Sequence, residues 1–338
     1  MLDTMKSASA QSESTAGQSK QWPGQASTYY GLPLIKGAEW AWQIVLYFFL
    51  GGLAGGAYFM AVLAHLLRLD HARELIRAGR YLSFVCILAS PIFLIWDLGR
   101  PERFFRMLRI LKLRSVMSIG SWSISVFGLF CGLSTAHQMA NDGFLQGLPR
   151  LARLLRALPI KLIEVPGAMF GLLVASYTGV LLAATAVPIW ARAKHILGPL
   201  FLTSGLSTAL ASLSCLLACG RRKQPMQEPL ERAEMVTLTT ELGLISALVP
   251  ILGSLGKPLF NGRTGWLLKG GVIGGGLLCP LLTRLTYKLT QRSTPRAVTV
   301  GTSLLVLLGG LVLRYVWIEA GRTSANDPEA THVYNTLE

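Results

Sequence analysis

Residues 44–64 read IVLYFFLGGLAGGAYFMAVLA, a stretch without one Asp, Glu, Lys, Arg or His. At 1.5 Å per residue, a helix of about 20 such residues crosses the hydrocarbon core of a bilayer. An amphipathic helix of a soluble domain would show a polar face, and this one has none. Comparable segments recur along almost the whole chain after residue 40. They run approximately over 41–67, 76–98, 116–139, 164–188, 196–219, 234–256, 265–288 and 297–319, eight in all. The 338 residues are 51% hydrophobic but only 14% charged, against roughly 25% charged in an ordinary soluble domain. Lipid, not water, is the main solvent. Inside a bilayer the backbone must satisfy its own hydrogen bonds, and these segments are too long and too uniformly apolar for barrel strands. The expected fold is therefore all-α, a polytopic membrane protein of eight transmembrane helices. Residues 1–38 are rich in Ser, Gln and Ala and have no apolar h-region, so they read as a disordered polar tail and not a cleavable signal peptide. The membrane domain is expected over 39–322, with a C-terminal tail over 323–338.

Net charge +15 would suggest nucleic acid in a soluble protein. Here the Lys and Arg lie almost wholly between the spans, the usual headgroup-facing pattern, and no nucleic-acid partner is expected. An even number of spans puts both termini on one face, called side A. Side A carries 15 Lys and Arg and side B 16, with Arg314 left over inside span eight. Setting aside Lys6 and Lys20, too far from a span to count, leaves 13 against 16. The positive-inside rule then leans toward side A, and the termini, facing the periplasm of a bacterial inner membrane.

Cys86, Cys131, Cys215, Cys219 and Cys279 all fall inside apolar spans, and no pair has the spacing of an iron–sulfur or zinc site, so no cluster is expected in this chain. Axial haem ligands would need histidines on facing spans, and only His65 and His137, ending spans one and three on side B, could face each other. The plainer reading, polar side chains at the interface, is preferred. Span one carries two overlapping small-xxx-small pairs, Gly51/Gly55 and Gly52/Gly56, and span seven repeats them as Gly270/Gly274 and Gly271/Gly275; such faces let helices approach closely. GSLGKP at 253–258 only imitates a phosphate loop, because Ile251 stands where the first glycine should be and Pro258 replaces the Ser/Thr.

Ionisable groups inside spans are functional candidates, since each costs roughly 3 kcal/mol or more at the midplane of a lone helix. Three stand out. Glu241 lies near mid-depth in span six, while Asp97 and Arg314 lie toward side A at the exits of spans two and eight. After Asp97 the chain turns at Gly99 and Pro101. Arg100, Arg103, Arg106 and Arg109 then recur every third residue opposite Phe104, Met107, Leu108 and Leu111. That pattern predicts an amphipathic helix at the interface, either for lipid headgroups or as a cationic ledge for a partner subunit.

The stretch WDLGRPERFFRMLR (96–109), continuing through MSIGSWSISVFG (117–128), closely resembles the signature of the NrfD/PsrC family, the membrane subunits of polysulfide reductase-like complexes. Further matching blocks are LGGLAGGAYF (50–59), YTGVLLAATAVPIW (177–190) and RYVWIEAGRTSANDPEA (314–330). The resemblance implies eight or more helices in two four-helix bundles and no prosthetic group. It also implies exchange of electrons with a quinone, menaquinone or ubiquinone, near the face where an iron–sulfur partner docks. By the same resemblance Tyr177 contacts the quinone carbonyl, with Asp97 and Arg100 beside the site. Some members place a histidine near the start of the first helix, where this sequence has Tyr47, and both side chains can donate a hydrogen bond.

Quinol oxidation releases two electrons and two protons. Tyr47 and Tyr177 are the candidate donors to the carbonyl oxygens, Asp97 the candidate base, and Glu241 with Arg314 the candidates for a further proton relay. Electrons would leave through a ferredoxin-like iron–sulfur subunit on side A, followed by a molybdopterin or cytochrome subunit. A secondary transporter is the competing reading, because eight spans with buried charge and glycine-rich helices also describe carriers.

Overall fold

The computed structural model describes residues 40–97, 108–109, 111–112, 114–220, 226–327, 330–332 and 334. The tail expected at 1–38 and most of the amphipathic segment after Asp97, Arg100 included, lie outside them. Eight helices are long and apolar enough to cross a membrane: Trp42–Leu66, Arg73–Asp97, Val116–Asn141, Ile160–Ala183, Lys194–Cys219, Gln227–Phe260, Gly262–Leu289 and Arg296–Ala325. No strand occurs among the described residues. The all-α, eight-span expectation holds. Spans one to four form one bundle and five to eight the other, joined where spans one and four pack on span five.

Several spans run further than their apolar cores. Span six begins at Gln227, not at 234, and span eight ends at Ala325, not at 319. This moves Arg314 away from the exit of its helix and into the interior. Side B also carries a short helix, Pro149–Arg156, whose Ala152 and Leu155 pack against Ala140 while Arg150 and Arg153 are exposed and Arg156 donates to the Ala140 carbonyl at 3.0 and 2.6 Å. Its eight residues (PRLARLLR) are too few and too basic to register as a span.

Spans one and five are the most buried of the eight, and the glycines of span one explain how they pack so closely. A Cβ on Gly55 would land on the carbonyl of Gly171 in span four, and one on Gly56 would sit 2.8 Å from both Ala209 Cβ and the Gly205 carbonyl in span five. The two expected faces therefore serve two different neighbours. Span seven departs from expectation. Residues Leu267–Leu278 are wound as a π-helix, whose i→i+5 hydrogen bonds rotate residues four apart off a common face. The close crossing with span eight falls instead at Gly276, where a Cβ would come within 2.7 Å of Gly309 Cα. At Gly270, Gly274 and Gly275 a Cβ would meet only the turn of span seven itself.

Gly55→Leu is expected to lower the thermal midpoint of the detergent-solubilised protein, since overpacking costs about 1–3 kcal/mol. Gly128→Leu is the control, because a Cβ there meets nothing within 4 Å. Equal midpoints for the two variants would mean that spans one and four do not pack through Gly55.

Candidate functional site

Trp42, Trp96 and Trp266 stand exposed at the side A ends of spans one, two and seven, in the position of an interfacial aromatic belt. Behind the first two, at the same level, lies a cavity of about 90 Å³ among spans one to four. Its wall includes Trp40, Tyr47, Asp97, Met117, Gly120 and Tyr177. Three of the residues singled out from the sequence, on three different spans, thus meet in one place.

Tyr47 is buried, and among the described residues its hydroxyl has no hydrogen-bond partner. That phenol is a donor available to whatever enters. Tyr177 differs: its hydroxyl donates to the Val116 carbonyl at 2.7 Å, so it must break that bond before it can donate elsewhere. Its ring is held by Gly120, where a Cβ would overlap the phenol. Nothing in the spacing of span three singled out Gly120 for this role. Asp97 Oδ1 accepts the backbone N–H of Ala41 at 3.4 Å, which fixes the carboxylate beneath the entry to span one.

Arg100, the expected cation beside Asp97, lies outside the described residues. Arg322 lies within electrostatic reach of Asp97. It donates to the Trp40 carbonyl and pairs with Glu319 at 3.3 Å. The side A wall is completed by Trp40, stacked at 5.4 Å on Trp190, whose indole N–H donates to the Trp317 carbonyl at 2.9 Å.

The volume matters. Dry cavities of about 150 Å³ admit a benzene ring, so a six-membered ring enters this one only as a lining side chain moves. Met117, unbranched and 54% exposed, is the wall residue best suited to do so.

Glu241 and Arg314 do not line this cavity. They form a separate buried cluster in the second bundle. Ser207 donates to Glu241 Oε2 at 2.7 Å, and Arg314 Nη1 donates to Ser204 Oγ at 2.8 Å and to the Gly310 carbonyl at 2.7 Å. The guanidinium also sits over the rings of Phe49 and Phe201, 5.7 and 5.6 Å from their centroids. A Cβ on Gly52 of span one would lie 3.1 Å from Arg314 Nη2, so this cluster touches the helix that carries Tyr47.

Two buried ion pairs escaped the sequence reading, both toward side B: Arg80–Glu164 between spans two and four, and Arg284–Glu234 between spans six and seven. All four residues sit at or near the expected span ends, where charge reads as solvated. The longer helices bring them inside. His65 Nδ1 lies 2.5 Å from Glu164 Oε2, and His137 Nδ1 lies 2.9 Å from the Leu155 carbonyl, so both histidines are engaged at side B. Among the described residues, no three His, Cys, Asp or Glu side chains are grouped to hold a metal ion.

Comparison with known proteins gives a consistent set of relatives. Residues 34–325 match the family model "Polysulphide reductase, NrfD". A polysulfide reductase polypeptide of Wolinella succinogenes is 25% identical over 312 residues, covering 84% of this chain and 94% of the relative. Protein NrfD of Escherichia coli is 26% identical over 308 residues, covering 84% and 95%. A selenate reductase subunit of Mesobacillus selenatarsenatis is 26% identical over a shorter stretch of 103 residues, 30% of this chain and 24% of the relative.

Proposed function

The chain belongs to the polysulphide reductase NrfD family, and on that basis we propose that it is the quinone-reactive membrane subunit of a multi-subunit oxidoreductase. The observation that carries this is the meeting of Tyr47, Asp97 and Tyr177 on one cavity at the level of the Trp42 and Trp96 belt. A lipid-soluble ring reaches that depth from the bilayer, and the polar atoms needed to hold its oxygens are there. Tyr47 donates to one carbonyl oxygen. Tyr177, released from Val116, donates to the other or relays a proton through its hydroxyl. Asp97 takes up a proton from the quinol, and its place beside Arg322 at the membrane edge gives that proton a short route to water. A quinol supplies two electrons, which pass to a ferredoxin-like iron–sulfur subunit docked on side A and onward to a molybdopterin or cytochrome subunit. Glu241 and Arg314, bridged by the serines of span five, would carry a further proton through the second bundle. The side A face and both termini would lie in the periplasm.

Binding of a quinone analogue to the purified chain, followed by quenching of tryptophan fluorescence, tests the reading. Tyr47→Phe removes one donor, and a neutral hydrogen bond contributes about 0.5–1.5 kcal/mol, so affinity is expected to fall about tenfold or somewhat less. Gly120→Val, which drives the Tyr177 ring into the cavity, is expected to abolish binding. Unchanged affinity in both variants would remove the quinone from this cavity.

A further inference from the structure

At the side B end of the second bundle lies a second, larger cavity of about 1110 Å³ among spans five to eight. The function proposed above uses none of its residues. Its wall carries Arg232, Arg284, Lys288, Arg292 and Arg296 against Glu228 and Glu231. Both acids are engaged: Glu228 pairs with Arg232 at 2.5 Å, and Glu231 accepts from Gln227 at 3.3 Å and Thr294 at 3.2 Å. Among the described residues, no acceptor lies against the side chains of Lys288 and Arg292.

Arg284 is the telling group. It is 3% exposed and lines the cavity. Its Nη2 pairs with Glu234 Oε1 at 2.6 Å, while among the described residues Nε and Nη1 have no acceptor. A guanidinium has five N–H donors in a planar fork suited to the oxygens of a phosphate. Leaving such donors buried and unmet costs free energy that an oxyanion would recover.

We propose that this cavity binds the phosphate of an anionic phospholipid, with its oxygens between Arg284 and the pair Lys288 and Arg292. Basic pockets between transmembrane helices suit such headgroups. The surroundings favour a lipid over a dissolved anion: Val236, Leu285 and Leu289, each next in sequence to a residue of the cavity wall, stand exposed on spans six and seven and offer apolar surface to acyl chains.

The test uses the full chain, delipidated in detergent and titrated with phosphatidylglycerol, phosphatidylcholine or inorganic phosphate, with bound species read by native mass spectrometry. Phosphatidylglycerol is expected to bind at least about tenfold more tightly than phosphatidylcholine. Lys288→Gln/Arg292→Gln removes two surface cations and is expected to weaken it about thirtyfold. Glu234→Gln/Arg284→Gln, which removes the buried pair together and leaves no lone charge, is expected to weaken it comparably. Equal binding of the two lipids, or unchanged phosphatidylglycerol affinity in both double variants, overturns the proposal. Competition by inorganic phosphate at equal concentration overturns it too, by assigning the site to a dissolved anion.

Discussion

Asp97→Asn is expected to lower quinol oxidation by the assembled complex at least about 100-fold, within the range that a positioned acid–base group contributes. Binding of a quinone analogue should change little. The substitution preserves size, and an amide oxygen can still accept the Ala41 N–H that Asp97 now holds. Arg322 keeps its bonds to the Trp40 carbonyl and Glu319, so the cavity wall stays in place. What disappears is the capacity to take a proton. The loss should therefore appear in kcat, with KM nearly unchanged, whereas Tyr47→Phe acts mainly on affinity. Steady-state rates of both variants in membranes carrying the whole complex separate the two roles. A wild-type kcat in Asp97→Asn would reduce this carboxylate to a clamp on the chain entering span one.

The eight spans are legible in the sequence because each holds some 18 or more residues with almost no charge, a pattern that only a membrane helix requires. Tyr47, Asp97 and Tyr177 are legible for a different reason. Asp97 and Tyr177 sit in blocks that resemble a family signature, Tyr47 stands where some members of that family place a histidine, and the fold brings all three to one end of one bundle. What the sequence conceals is what depends on partners from distant segments. Gly120 looks like any glycine in an apolar helix until the Tyr177 ring is seen against it. Arg322, three residues past the expected end of span eight, looks like a solvated residue until that span extends to Ala325 and carries it back to Trp40. Span seven misleads because small-xxx-small spacing presumes α-helical winding, and the π-turns of Leu267–Leu278 abolish that register.

The ion pairs toward side B show the same effect at its largest, and one of them supports the strongest stability prediction. Glu164 is fully buried in span four. Its Oε1 accepts from Arg80 Nη2 in span two, and its Oε2 lies 2.5 Å from His65 Nδ1 at the end of span one. Arg80 Nη1 donates to Gln138 of span three at 2.6 Å. Gln138 in turn donates to Asp142 at 2.9 Å, and Arg77 meets the same carboxylate at 2.9 Å. One buried carboxylate thus ties all four helices of the first bundle together. Glu164→Leu leaves Arg80, 4% exposed, as a buried cation without its counter-charge. Breaking one partner of a buried pair costs about 3–5 kcal/mol, whereas replacing both partners by apolar groups is often nearly neutral. Glu164→Leu alone is therefore expected to lower the thermal midpoint in detergent sharply or to prevent accumulation of folded protein. Arg80→Met/Glu164→Leu is expected to recover most of that loss. Recovery would identify the single variant's defect as an unpaired charge, with hydrophobic packing enough to hold the four helices. A double variant as unstable as the single one would instead mean that the polar network itself holds spans one to four in register, since the burial of its replacement side chains would then be unable to do so.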